Sequence, residues 1–323
     1  MKGNTSKWAI ETQRLTRYFG SRCVVDGLNL AVPRGSVYAF LGRNGSGKTT
    51  TLRMVLGLIR STSGCSQVFG VPSEALDASV RSRIGYLTEE HQVHPWMTVR
   101  ENGKFAASFY PHWNEKIFNE IVEYFRLKED AVAKHLSRGE RAGLALAITL
   151  APEPELLIMD DPALGLDPVA RRALVEAMLF VARGKDRTIL FSTHTIGDVE
   201  RVADHLAILD HSRLRVQSSV DTFRERVRRY ECLLPQPEIS LKKIPGLLRA
   251  VKEGNRLRLT CVERELSTQR HLLQIGCTGV EDVPLSLEEA VIDYLSERGE
   301  VLGFLGKMNH VKPSEVNYET HVS

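Results

Sequence analysis

The chain has 323 residues, more than one hydrophobic core ordinarily fills, and its 42% hydrophobic, 26% charged composition excludes global disorder. The net charge of +3 is small and the arginines are interleaved with acids, so no nucleic-acid partner is expected. Cys23, Cys65, Cys232, Cys261 and Cys277 are odd in number, scattered and free of CxxC spacing, which excludes a disulfide framework and a zinc site and fits a reducing cytosol. No stretch approaches the roughly 18 apolar residues of a membrane span, and the first residues lack the apolar run of a signal peptide, so the chain is not expected to form a pore.

From Trp8 to about Arg228, short apolar runs alternate with helical patterns and turn signals, predicting an α/β domain with a largely parallel sheet. Ser36 to Leu41, Leu156 to Met159 and Thr188 to Ser192 are apolar on both alternations, as central strands covered on both faces must be. Ligands bind outside the carboxyl ends of such strands, so Gly42, Asp160 and His194 fall where one shared site is expected.

The first of these strands runs into Gly42, Arg43, Asn44, Gly45, Ser46, Gly47, Lys48 and Thr49, followed by Thr50. This is GxxxxGK[ST] in the strand, loop and helix setting that gives it meaning. Its glycines let backbone amides turn inward around phosphate oxygens, Lys48 reaches the β- and γ-phosphates, and Thr49 coordinates Mg²⁺. Leu52, Val55, Leu56 and Ile59 follow helical spacing and predict the helix behind the loop. From about residue 91 to 150 the pattern turns mostly helical, interrupted by Pro95 and Pro111, and predicts an inserted helical subdomain.

Downstream, Leu136 to Glu140 reads LSRGE and Leu156 to Pro168 reads LLIMDDPALGLDP. LSRGE by itself reads as a helix start, Ser137 capping with Glu140 three residues on. Asp160 ends four apolar residues, so a buried strand delivers its carboxylate to a metal shell; Asp161 follows it, and His194 ends TILFSTH. Beyond the basic segment Phe223 to Tyr230, read as a solvated helix face, prolines at 235, 237 and 245 break the chain. Strand-like runs such as Leu257 to Val262 resume, predicting a small α+β appendage over 229–303 and a polar tail over 304–323.

The order and spacing of the phosphate loop, LSRGE and LLIMDDPALGLDP resemble the ATP-binding subunits of ABC (ATP-binding cassette) transporters, over about residues 8–228. The resemblance implies a P-loop NTPase fold of ABC type with the inserted helical subdomain, ATP and Mg²⁺ as cofactors, and ATP hydrolysis that energises a separate transmembrane permease, with export the expected direction. It implies that Phe19 stacks on adenine, with Tyr18 the other aromatic at hand, and that Glu89, in IGYLTEE, joins Thr49 and Asp160 at the metal. It makes Asp161, Glu89, Lys48 and His194 the candidate catalytic residues. Ser137 and Gly139 would bind the γ-phosphate held by a second, head-to-tail copy or a homologous subunit. The permease would dock near His91, Pro95 and Trp96 and hold the chain at the cytoplasmic face of the cell membrane. A soluble ABC ATPase of translation or DNA repair is the other reading, although such proteins usually carry two cassettes or a long charged insertion before the signature.

Four residues depart from the family pattern: Arg138 stands for Gly, Glu140 for Gln, Glu89 for Gln, and Asp161 for Glu. Glu89 can contact a metal but has no amide to donate. The Asp161 carboxylate is one methylene short, so it must reach water through an altered backbone or a second water, and an Asp161→Glu variant is expected to match or exceed the natural rate unless the surrounding loop has adapted to aspartate.

Overall fold

A computed structural model describes residues 6–183, 187–235, 244, 246–262, 268–296 and 301–303; the predicted tail over 304–323 lies outside them. The chain divides into two units, Met1–Val220 and Asp221–Ser323.

The first unit opens with β1 (Trp8–Phe19), β2 (Arg22–Leu28), β3 (Ala31–Pro33) and β4 (Val37–Gly42), then α1 (Lys48–Val55), β5 (Ser63–Val68), β6 (Val71–Pro72), α2 (Ala78–Arg81) and β7 (Ile84–Leu87). It continues with α3 (Val99–Ala107), α4 (Glu115–Tyr124), α5 (Arg138–Leu150), β8 (Leu156–Asp160), α6 (Pro168–Arg183), β9 (Thr188–Thr193), α7 (Ile196–Val202), β10 (His205–Asp210) and β11 (Arg213–Ser219). One sheet runs β11-β10-β4-β9-β8-β7, parallel except for the β10 to β11 pair. Every residue of β4, β8 and β9 is buried, which is why these runs carry no polar alternation.

A largely parallel sheet is only half of what forms. The opening strands make a separate sheet, β2-β1-β5-β6 with β3 on β1, whose pairs are antiparallel. Its alternation is blurred because β1 is bulged, with register shifts between Leu15 and Arg17 and between Arg17 and Tyr18. The two sheets share one core, in which Ile10, Leu15, Val25 and Leu28 pack with Tyr38, Phe40, Leu52, Ile158 and Leu190. Helix α1 is shorter than the predicted stripe: it ends at Val55 with Leu56 as its cap, Gly57 turns left-handed at φ 65°, and Ile59 packs on the core from outside the helix.

Helices α3 to α5 enclose a second core of Val99, Phe118, Val122, Leu127, Leu136 and Leu144. Helices α3 and α5 each start on a full capping box, Thr98 with Glu101 and Ser137 with Glu140, so the helix that follows LSRGE begins where the sequence places it.

The second unit takes up α8 (Val220–Arg226) from Asp221 and continues β12 (Val227–Leu233), β13 (Leu247–Glu253), β14 (Arg256–Val262), α9 (Thr268–Gln274), β15 (Thr278–Val283), α10 (Leu287–Leu295) and β16 (Val301–Gly303). The solvated helix face expected over Phe223 to Tyr230 is not what forms. The helix stops at Arg226, a strand follows, and Phe223, Val227 and Tyr230 are buried beneath it. The sheet order is β15-β12-β14-β13-β16. Asp293 is buried and accepts hydrogen bonds from Thr260 at 2.6 Å, Arg229 at 2.9 Å and Arg249 at 2.9 Å. Burial alone would raise its pKa, but these donors outweigh it and hold the carboxyl below its ordinary range. Cys232, Cys261 and Cys277 lie inside this unit's core and none of them is in a disulfide.

Candidate active site

The carboxyl ends of β4, β9, β8 and β7 are adjacent in the sheet, and each delivers part of one site. Beyond β4, residues 43–47 turn over the end of the sheet and enter α1 at Lys48. Gly47 sits at φ 107°, and a side chain there would strike the carbonyl of Val24; a side chain on Gly42 would strike the carbonyl of Leu209 and the hydroxyl of Ser46. Lys48 is buried and folds back so that Nζ donates to the carbonyls of Gly42 at 2.8 Å and Arg43 at 3.3 Å. Burial pushes the ammonium below its ordinary pKa range, while the negative charges of Asp161, Asp160 and Glu89 push it back up. That opposition brings Glu89, exposed just past β7, into electrostatic reach of the loop. The Ser46 hydroxyl is buried and has no hydrogen-bond partner among the described residues. An orphaned donor inside a glycine-rich cradle with a buried ammonium fits a phosphate chain.

At the end of β8, Asp160 accepts from the Thr49 hydroxyl at 3.0 Å and from the Ser192 hydroxyl at 2.8 Å. A carboxylate and a hydroxyl side by side make the oxygen donor set that suits Mg²⁺. Ser192 also accepts from the Asp161 amide at 2.8 Å, so one hydroxyl of β9 sets the spacing of both acids. Ser192 was not among the expected site residues; its only sequence signal is that it is polar inside an otherwise apolar strand.

Asp161 has φ 46°, in the left-handed region that Asp tolerates better than most residues. Its carboxylate accepts from His194 Nδ1 at 2.9 Å on one oxygen and 3.1 Å on the other. The aspartate and the histidine that the sequence offers as candidate catalytic residues are therefore in contact. Asp161 is buried and His194 half-exposed, so the pair opens to solvent on the histidine side.

Phe19 and Tyr18 end β1 and are both exposed, Phe19 at 48%. The Arg17 guanidinium lies 4.6 Å from the Phe19 ring centroid and supports one face of it. Ser137 and Gly139 stand at the start of α5, on the exposed side of its capping box. Arg138 lays its guanidinium against Gly165, in the left-handed turn between β8 and α6, leaving no room for a side chain there. His91, expected at an exposed contact, is only 1% exposed: Nε2 donates to the carbonyl of Pro162 at 2.7 Å. Burial, backed by the charges of Arg138 and Arg141, holds its pKa below the ordinary histidine range. Pro95 and Trp96 are exposed, Trp96 at 70%.

The ABC transporter family model matches residues 25–164, which span the phosphate loop, LSRGE and both acids. BcrA of Bacillus licheniformis, a bacitracin transport ATP-binding protein, is 34% identical over 223 residues, covering 68% of this chain and 73% of BcrA. The chain belongs to the ABC transporter family. A Nod factor export ATP-binding protein I from Rhizobium sp. (strain N33) is 37% identical over 220 residues, covering 66% of this chain and 72% of the relative. In fold, the ABC transporter chain is similar to the dimeric ATP-binding cassette MJ0796 in a post-hydrolysis state with ADP and Pi. The TM-score is 0.59 at 20% identity, over 65% of this chain and 98% of that one. The protein is thus an ATP-binding, ATP-hydrolysing ABC transporter subunit with the ABC-type P-loop fold, and none of its described helices is long and apolar enough to cross a membrane.

Proposed function

We propose that this ABC transporter subunit hydrolyses Mg-ATP through one composite site and passes the resulting motion to a separate permease that exports its substrate. The observation that carries the reading is the convergence of Lys48, of Thr49 with Asp160, and of Asp161 with His194 at the ends of adjacent strands. Residues 42–50 wrap the phosphates, Lys48 neutralises the β- and γ-phosphates, and Phe19 takes the adenine on the face that Arg17 leaves open. Thr49, Asp160 and Glu89 hold Mg²⁺, which neutralises charge developing on the phosphates when bound. Asp161 takes the proton of the attacking water, and His194, which donates to it from Nδ1, would contact the γ-phosphate.

Ser137 and Gly139 complete the site of a second copy, because a helix start attracts anions and a ring of two such copies closes on itself. The first unit, to Val220, forms the motor with its helical subdomain over about 91–150, and the second, from Asp221 rather than from the expected 229, an accessory domain. The dimeric cassette bound to ADP and Pi supports this arrangement. Mixing Ser137→Arg subunits with Lys48→Ala subunits is expected to restore one intact site per heterodimer, read as turnover in the mixture that neither variant has alone. No turnover in a mixture shown to contain heterodimer would sink the shared site.

The permease docks on the helical subdomain at an exposed aromatic row. His94 stacks edge-on to Phe105 at 4.6 Å and meets Trp96 at 5.4 Å, and Phe105 meets the 69% exposed Phe109 at 5.0 Å. Contiguous exposed aromatics of this kind mark protein interfaces. Docking there places the subunit at the cytoplasmic face of the cell membrane, and the relatives named for bacitracin transport and Nod factor export favour export over the translation or repair reading. A Trp96→Glu, Phe109→Glu variant is expected to lose the multi-spanning protein that copurifies with the wild type from membranes; undiminished copurification would exclude this surface.

A further inference from the structure

The left-handed backbone of Asp161 has to be held, because a non-glycine residue stays in that region only where its surroundings fix it. Three hydrogen bonds to backbone groups bear on this turn. The Asp161 amide donates to Ser192, the Asp161 carbonyl accepts from the Leu164 amide at 3.0 Å, and the next carbonyl, that of Pro162, accepts from His91. The first two are local to β8, β9 and their turn. The third comes from the segment two residues beyond Glu89, so one hydrogen bond joins the stretch carrying a candidate metal ligand to the peptide that aims the candidate base.

His91 is itself left-handed, at φ 48°, with its amide turned onto the carbonyl of Thr88 at 3.1 Å, which points the imidazole inward. Further along the same turn, Arg138 lies against Gly165. Nothing else in the site needs a buried histidine here, and a packing role would be met by an apolar side chain of the same size.

We propose that His91 is a positioning residue for hydrolysis: its Nε2–H, held on the Pro162 carbonyl, fixes Asp161 in the conformation that brings its carboxylate to His194 and the water. The proposal rests on Asp161 being the base. It explains how an aspartate, one methylene short, serves at this position. The path from Glu89 through His91 to Pro162 also makes the placement of the base depend on the metal side of the site.

The test combines kinetics with a spectroscopic reading on the unaltered protein. His91→Leu is expected to lower kcat by about tenfold to a hundredfold, the cost of misplacing a reacting group by a fraction of an ångström to an ångström, with ATP affinity unchanged because the phosphate loop is untouched. In an Asp161→Asn background the same substitution is expected to cause no further loss, since its effect runs through that carboxylate. Wild-type turnover in His91→Leu, or an equal fractional loss in both backgrounds, would overturn the proposal and leave the base assignment standing. An Asp161→Asn protein as fast as wild type would remove the base assignment and the proposal together. Independently of any variant that fails to fold, imidazole ¹⁵N spectra of the wild type are expected to show His91 carrying its proton on Nε2 with slow solvent exchange. A proton on Nδ1 alone would exclude the hydrogen bond, because a carbonyl oxygen can only accept.

Discussion

Lys48→Ala is expected to abolish ATP hydrolysis and to weaken nucleotide binding by about tenfold to a hundredfold, the loss of one charge-assisted contact of roughly 1.5–3 kcal/mol. The ammonium is buried, close to Asp160, Asp161 and Glu89, and held ready by the carbonyls of Gly42 and Arg43. Removing it leaves three carboxylates facing a triphosphate with only the metal between them. The loop also loses the tether that closes it on itself. Equilibrium nucleotide binding and steady-state turnover at saturating Mg-ATP measure the two effects. Turnover at the wild-type rate would remove the phosphate-loop assignment.

Asp161→Asn is expected to reduce turnover to near background, with an ATP-bound dimer accumulating, because the amide keeps the size of the carboxylate and can still accept from His194 but cannot take a proton. General-base assistance contributes about 10²–10⁴ in rate, which sets the size of the loss. Turnover by the Asn variant at the wild-type rate would exclude Asp161 as the base and turn attention to His194 or Glu89.

The expectation for Asp161→Glu turns on whether the loop has adapted to aspartate, and the backbone of Asp161 bears on that condition. Without such adaptation, the longer side chain matches or exceeds the wild type. In the folded chain, the left-handed φ of 46°, the Ser192 hydroxyl on its amide and the paired contact with His194 all suit aspartate. Glutamate would push its carboxylate past Nδ1 of His194 from a backbone it adopts less readily. Asp161→Glu is therefore expected to turn over more slowly than wild type, and a faster Glu variant would show that the loop has not adapted.

By itself the sequence determines the chemistry of the site in outline. GRNGSGKT, LLIMDD and TILFSTH each join a strand apolar on both alternations to a polar residue at its carboxyl end, and a parallel sheet gathers those ends wherever it forms. The start of α5 was legible for a similar reason, since a capping box is a contact between residues three apart. The antiparallel sheet over the first seventy residues was not, because the bulges of β1 erase its alternation and its pairing is non-local. The basic run from Phe223 misled because charge at helical spacing does not reveal that β14 will pair with Val227 to Leu233. His91 and Ser192 were likewise invisible as site residues. A lone histidine and a lone serine acquire their roles only when folding sets one against the Pro162 carbonyl, 71 positions away, and the other between Asp160 and Asp161. The tertiary structure decided these because the partners of a buried polar group are fixed by which strands become neighbours, and burial then makes leaving that group unpaired too costly.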